Sequence, residues 1–317
     1  MTINPVSTNA QSQMLLQDIL QAQNSVNQSE SQVASGYVST TYTGMGDKTA
    51  MLEAAQSALA RTNGYQAATT AALNQSNLQD TQMTQLSNIA SELRQDMSEA
   101  VANGDGSTLM TQVQGLYSQA VQILNSQDAN GNYIYGGNNA NTPPVTATSL
   151  SQLASLGSVS QAFANGTKAA SVKVADGETV QVGMLASGVG TGLMQTFMDI
   201  AQFNNGANGN FGQGLTNAQS AFLTNELPTA ISAETSVNNS AASNGNVYTQ
   251  LQDAQNQQQS LSTLYSGFVS NLQDVDMSTA ITQLNQNQTA LQAALQVTSQ
   301  IGNISLLNYL AAPSAST

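Results

Sequence analysis

Acid–base and nucleophilic chemistry draw on a short menu of side chains, and this 317-residue sequence lacks most of it. It has no histidine and no cysteine. That removes the commonest general base, the Ser–His and Cys–His dyads, most zinc sites and all thiolate chemistry. Amines come only from Lys48, Lys168 and Lys173, and none sits in a motif that would activate a serine. The carboxylates of Asp274 and Asp276 are of the right type for an acid/base pair. They also stand just before a long apolar-periodic segment, where an aspartate caps a helix. "GVGTG" (188–192) has the glycines of a phosphate-cradling loop but no P-loop lysine. "DANGNYIYGGNN" (128–139) begins like a calcium loop, yet it has tyrosine where the sharp-turn glycine belongs and asparagine in place of the last glutamate. Each reads more simply as a cap, a loop before a helix, or a turn. The sequence therefore predicts no enzyme, no catalytic residue, no metal site and no cofactor.

Charge narrows the partners. Eighteen acids face 5 bases, for a net charge of −13. With cations only at Lys48, Arg61, Arg94, Lys168 and Lys173, no phosphate-tracking surface can form, so nucleic acid and anionic membranes are not expected partners. No apolar run approaches the ~20 residues that span a bilayer. "MTINPVSTNAQSQMLLQDIL" lacks a basic n-region and a continuous apolar stretch, so no cleavable signal is expected. Aromatics are 5% and tryptophan is absent, which suits long helices that each bury only a stripe better than a thick globular core.

The periodicity supplies those helices. Leu15, Ile19, Ala22, Val26 and Val33 follow a heptad stripe, with Ser29 in its polar gap. "SGYVSTTYTGMGD" (35–47) breaks it as a loop or short extended piece. A helix restarts near Thr49, is weakened but not surely ended at Asn63-Gly64, and continues through Met83, Leu86, Ala90, Leu93, Met97 and Ala100. "NGDGS" (103–107) turns the chain, with Asp or Ser capping the next helix. Leu109 to Ile123 form the stripe of that helix, as in an antiparallel hairpin of helices. Tyr133 to Tyr135 is β-prone. "SVKVADGETVQV" reads as a β-hairpin turning at Asp176-Gly177. A short helix is expected over 190–203. Long helices return after Pro228, with Val247, Leu251, Ala254, Leu261, Tyr265, Phe268 and Leu272 in register and Gln258 at a polar position. "DVD" breaks that register, and Met277, Ile281, Leu284, Leu291 and Leu295 resume it, diluted by Gln288 and Thr298.

The plan is nearly palindromic, so the chain folds back on itself with its ends together. The expected fold is mainly α: a long antiparallel helical, coiled-coil rod with paired N- and C-terminal helices and a small β-containing insert. The middle stripes read as packing within a bundle. The terminal stripes, set off by breaks, read as helices whose apolar surface is buried between molecules.

The closing "DVDMSTAITQLNQNQTALQAALQVTSQIGNISLLNYL" resembles the C-terminus of the bacterial flagellin superfamily. "SLLNYL" (305–310), "GNYIYGGNNANTPP" (131–144) and "DGETVQVGMLASGVGTGLMQTFMDI" (176–200) are most similar to its hook–filament junction members, the hook-associated protein 3 family. "SQVASGYVSTTYTGMGDKTAMLEAAQSAL" (31–59) stands in the place of the family's serine-glycine loop. It departs there: Tyr37 and Val38 replace basic residues, and the usual acidic pair shrinks to Asp47. The resemblance implies a flagellin-like fold in three layers: an inner terminal-helix domain of residues 1–42 with 275–317, a long-helix domain of 43–139 with 213–274, and an outer insert of 140–212. It further implies export through the flagellar export apparatus, with an export chaperone and without a cleaved signal, to an extracellular place in the flagellum. The function it implies is a structural junction subunit, with assembly contacts at Leu15, Ile19, Val26, Met277, Ile281, Leu284, Leu291, Leu295 and Ile301. The implied partners are further copies of itself, hook-associated protein 1 and flagellin. The alternatives are a filament flagellin and, more distantly, a secreted adhesin or binding module that uses the β-insert.

Overall fold

The structure is a computed structural model that describes the backbone of residues 5–310 and the side chains of residues 10–300. The chain is mainly α. Its elements are α1 (Pro5–Ser35), α2 (Tyr42–Met45), α3 (Thr49–Asn103), α4 (Leu109–Leu124), α5 (Leu150–Ala154), the strands β1 (Ser171–Ala175) and β2 (Glu178–Gln181), α6 (Ala186–Asn204), α7 (Asn217–Gln273) and α8 (Met277–Leu310). They fall into two compact units, one of residues up to 61 with those from 261 on, the other of residues 62–260.

In the 62–260 unit, α3 and α7 run antiparallel. Gln255 donates to Thr70 (3.1 Å), Ser76 to Asn244 (2.9 Å), Ser87 to Asn238 (2.8 Å), and Arg94 pairs with Glu234 at 3.4 Å. The Met83–Ala100 stripe of α3 is buried against α4, α6 and α7, around Leu93, Tyr117, Phe197 and Val237. Asn63-Gly64 does not interrupt α3. After α3, Gly104 adopts φ +64°, the left-handed region that glycine enters without a Cβ penalty. The expected Asp or Ser cap on α4 is not made. Thr108 holds the N-cap position without a side-chain bond, and Asp105 accepts instead from the Ser107 amide, at 2.8 Å, inside the turn.

The hairpin forms as read, with Val172 opposite Val180 and Gly177 at φ +80°. Its Val174, Val180 and Val182 pack on Leu73 of α3 and Leu251 of α7. Three local readings change. Tyr133–Tyr135 is no strand: Tyr133 makes one isolated bridge to Gln127. Tyr135 is fully buried, its hydroxyl donating to Gln82 at 2.7 Å. The helix expected over 190–203 begins at Ala186, which takes "GVGTG" into α6. There a Cβ on Gly190 would meet Leu124 Cδ1 at 2.8 Å and one on Gly192 would meet Ala233 Cα at 3.2 Å. Those glycines serve close helix approach. Finally, α7 starts at Asn217, well before Pro228. Thr216 and Gln219 form a reciprocal capping box, the Thr216 amide to Gln219 at 2.9 Å and the Gln219 amide to Thr216 at 3.2 Å. Burial of Leu223, Ala230, Ala233 and Val237 outweighs the roughly 3 kcal/mol that an interior proline costs.

Candidate functional site

The unit that holds both terminal helices is assembled at a double break. Gly36, at φ +74°, ends α1, and the extended residue Tyr37 bridges antiparallel to Asp274. The Val38 amide donates to Gln273 O at 2.7 Å, and the Val275 amide to Gly36 O at 2.9 Å. Gln32 Nε2 donates to Val38 O at 2.8 Å. The backbone thus holds Tyr37 and Val38 against the end of α7. At the same point Asp276 caps α8, accepting from the amides of Ser278 (2.9 Å) and Thr279 (3.3 Å) and from the Thr279 hydroxyl (3.2 Å). The amide of Thr279 first, then that of Ser278, holds its carboxyl below the usual range. Asp274 accepts from the Ser270 hydroxyl. "DVD" is therefore a helix end followed by a helix start, not an acid/base pair.

From this point α1 and α8 lie antiparallel and pack on each other. Leu15, Ile19, Ala22 and Val33 of α1 are half-buried, and Val26 and Ser29 are buried. On α8 the covered positions are Ala280, Leu284, Asn287, Leu291, Ala294 and Thr298. One polar layer crosses the pair: Asn287 Nδ2 donates to Ser29 Oγ at 2.8 Å and to Ser25 O at 3.3 Å. Such a layer costs stability and fixes register. The sequence placed Ser29 in its polar gap and named Gln288 and Thr298 as the diluting residues of α8; Thr298 lies on the covered face, but Asn287 stands there in place of the exposed Gln288.

The predicted assembly residues divide between two faces. Leu15, Ile19, Val26, Leu284 and Leu291 lie on the face each helix turns to the other. Met277, Ile281 and Leu295 lie on the flank of α8, 43%, 46% and 50% exposed. The Ile301 side chain lies outside the described residues. Small Ala280 and Ala294 let α1 approach one side of the stripe, which leaves its bulkier side open. Leu16 and Leu20 of α1, 58% and 52% exposed, were missed, although their i, i+4 spacing was there to read. The flank is also electrically quiet: α8 contains no charged residue. A like copy can thus approach it without the repulsion expected elsewhere of a chain at net −13.

The remaining candidates are structural. Asp128 accepts from the amides of Asn130 and Asn132, at 2.8 and 2.9 Å, and so closes a turn with Gly131 at φ +82°. Those bonds, Asn132's first, hold its carboxyl low. Among the described residues no group of three or more His, Cys, Asp or Glu could hold a metal ion, and no helix is long and apolar enough to cross a membrane.

Comparison with known proteins points to the same part of the chain. Residues 229–310, from within α7 to the end of α8, match the bacterial flagellin C-terminal helical region. No curated protein matches the chain. Among solved structures, a protein assigned as a flagellar hook-associated protein from Vibrio parahaemolyticus is similar at a TM-score of 0.56 and 14% identity, over 71% of this chain and 97% of that one. FlgL from Bacillus cereus aligns over 64% of this chain and 98% of its own, at 14% identity and a TM-score of 0.38, too low to bear on the fold. The fold is thus mainly α, with long helices and a small two-stranded sheet, and is similar to that of the Vibrio protein.

Proposed function

We propose that this chain, whose residues 229–310 match the bacterial flagellin C-terminal helical region, is a structural, non-enzymatic subunit of the bacterial flagellum that acts at the hook–filament junction. The observation that carries this reading is the uncharged flank of α8, with Met277, Ile281 and Leu295 half exposed beside a pair locked by Asn287 and Ser29. A flank of that kind gains from a neighbour of the same kind. Apolar area covered in an assembly contributes roughly 25 cal/mol per Å2, which offsets the entropy of ordering the terminal helices. In the free subunit the pair is thin and marginal, and it orders fully as it packs.

The partners in this reading are copies of the chain, hook-associated protein 1 on one side and flagellin on the other. The subunit leaves the cell through the flagellar export apparatus, held by a chaperone until then, and lies outside the cell. Leu15, Ile19, Val26, Met277, Ile281, Leu284, Leu291, Leu295 and Ile301 form the assembly contacts, directly or by shaping the pair that makes them. The three-layer division, with 1–42 and 275–317 innermost and 140–212 outermost, belongs to the same proposal. The fold shared with the Vibrio hook-associated protein supports a junction role. A filament flagellin is the second reading, favoured by the match to the flagellin C-terminal region itself.

Labelling the protein on intact flagella separates the two. One band beside the hook is expected, and signal along the whole filament overturns the junction role. Ordering on assembly has its own test: full hydrogen-exchange protection over 277–310 in the free monomer would refute it.

A further inference from the structure

Within the 62–260 unit, the segment leading into and out of the hairpin and one turn of α7 enclose an open cavity of about 680 Å3. Its polar walls are Thr167, Lys168, Ser171, Gln181, Asn239, Ser240 and Ser243. The Ser240 hydroxyl donates to Ser236 O at 3.0 Å; the other polar side chains have no hydrogen-bond partner among the described residues and turn their polar ends to solvent together. The cavity also gathers the unit's unused positive charge. Arg94 is paired with Glu234, and Lys173 with Asp176 at 3.2 Å. The Lys168 ammonium makes no ion pair among the described residues. In a chain with 18 acids, no carboxylate lines this cavity.

The floor adds a second observation. It is formed by Met184, Leu185 and Val189 at the start of α6, with Gly188 among them. A glycine inside a helix costs about 1 kcal/mol relative to alanine. Gly190 and Gly192 have packing reasons for that cost. Gly188 does not: a Cβ there would meet nothing within 4 Å. It leaves the first turn of α6 uncovered beside the cavity.

We propose that this cavity binds a carboxylate-bearing saccharide. The Lys168 ammonium takes the carboxylate, and the amides and hydroxyls of Gln181, Asn239, Ser243 and Thr167 take sugar hydroxyls, each able to donate and accept. The apolar floor takes the C–H face of a ring. Three features select this class. The volume lies in the range of small-ligand sites and exceeds what a lone inorganic anion fills. A single cation matches a single negative charge better than a polyphosphate. Mixed donors and acceptors suit a polyol better than an aromatic or aliphatic ligand.

The test is titration of the full-length chain with a glucuronic acid–N-acetylglucosamine disaccharide, monitored by calorimetry and by backbone amide resonances. Lactose serves as the neutral control and acetate as the bare carboxylate. Saturable binding of the acidic disaccharide is expected, with shifts confined to 167–189 and 239–243. Lys168→Gln should weaken it about fivefold, the worth of one exposed ion pair, and lactose should bind weaker by a similar factor. Gly188→Leu, which fills the floor from open space, should abolish binding while leaving the melting temperature equal or higher. No saturable binding by about 10 mM, well past a weak-site Kd, overturns the proposal. So does binding of lactose as tight as that of the acidic sugar, binding unchanged by Gly188→Leu, or acetate competing as well as the disaccharide.

Discussion

Replacing Met277, Ile281 and Leu295 together by serine separates the two faces of α8. The three side chains keep 43%, 46% and 50% of their surface exposed. Complete burial of such a side chain contributes roughly 1.5–3 kcal/mol, so covering the remaining half contributes about 1 kcal/mol each. Together that is about 3 kcal/mol per subunit contact, or roughly a 100-fold loss in association constant. The cost inside the free chain should be small, because these positions lie on the flank that α1 does not cover. Val26, only 7% exposed against α8, provides the opposite case. Val26→Ser empties a buried position and should cost the α1–α8 pair itself about 2 kcal/mol. The assay is incorporation of each variant into flagella of a strain without the parent protein, read by motility and by labelling, with circular dichroism and hydrogen exchange on the purified monomer. The triple variant should keep parental helix content and parental exchange around Ser29, yet fail to incorporate. Normal incorporation of the triple variant would refute the assembly role of the flank. A monomer that lost its α1–α8 pairing would refute the assignment of the two faces.

Other perturbations probe the pair, the core and its titration. Asn287→Leu removes the donor to Ser29 and Ser25 but adds apolar burial, so stability should change by less than about 1 kcal/mol. Its register should loosen, seen as a broadened distance distribution between spin labels on α1 and α8; an unchanged single distance would count against the polar lock. Gly192→Val sets a side chain against Ala233 Cα, 3.2 Å from the first added carbon, and should cost about 1–3 kcal/mol by overpacking. Gly115→Ala in α4, where the added Cβ meets nothing within 4 Å, should stabilise by up to about 1 kcal/mol; calorimetric melting that moved both variants the same way would contradict this. Burial first, then the nearby charge of Asp199, pushes the Glu226 carboxyl up to about 7. The folded state therefore holds that proton more tightly than the unfolded chain. Stability from this group is full below the ordinary carboxylate range and declines as pH rises towards 7. Glu226→Gln should remove that decline and stabilise the chain at pH 8 by about 1 kcal/mol, a figure discounted because the group is only half-buried; equal denaturation midpoints at pH 8 would exclude it.

Helix period alone located the long stripes. Met83 to Ala100 is a buried face of α3, and the break at "DVD" is a helix end followed by a cap at Asp276, because spacing and capping are local properties of a few residues. The same local rules gave the hairpin at Asp176-Gly177. They failed where a local signal had a non-local cause. "GVGTG" reads as a loop by propensity, but α6 runs through it because Leu124 and Ala233 press on those glycines. Pro228 reads as a helix start, but α7 spans it because the residues on either side are buried. Tyr135 reads as strand, but a partner far along the chain, Gln82, holds it in the core.

By itself the sequence determined that this protein has no histidine or thiol chemistry, few cations and two terminal stripes of nearly uncharged helix. Composition and period are carried by the chain in any conformation. Only the tertiary structure decided how the apolar positions of α8 divide. Leu284 and Leu291 turn inward with Ala280 and Asn287, while Met277, Ile281 and Leu295 stay half exposed. A stripe this wide can meet its partner on either side. The backbone staple at Gly36–Val38 and Gln273–Val275, together with the Asn287–Ser29 bond, chooses which.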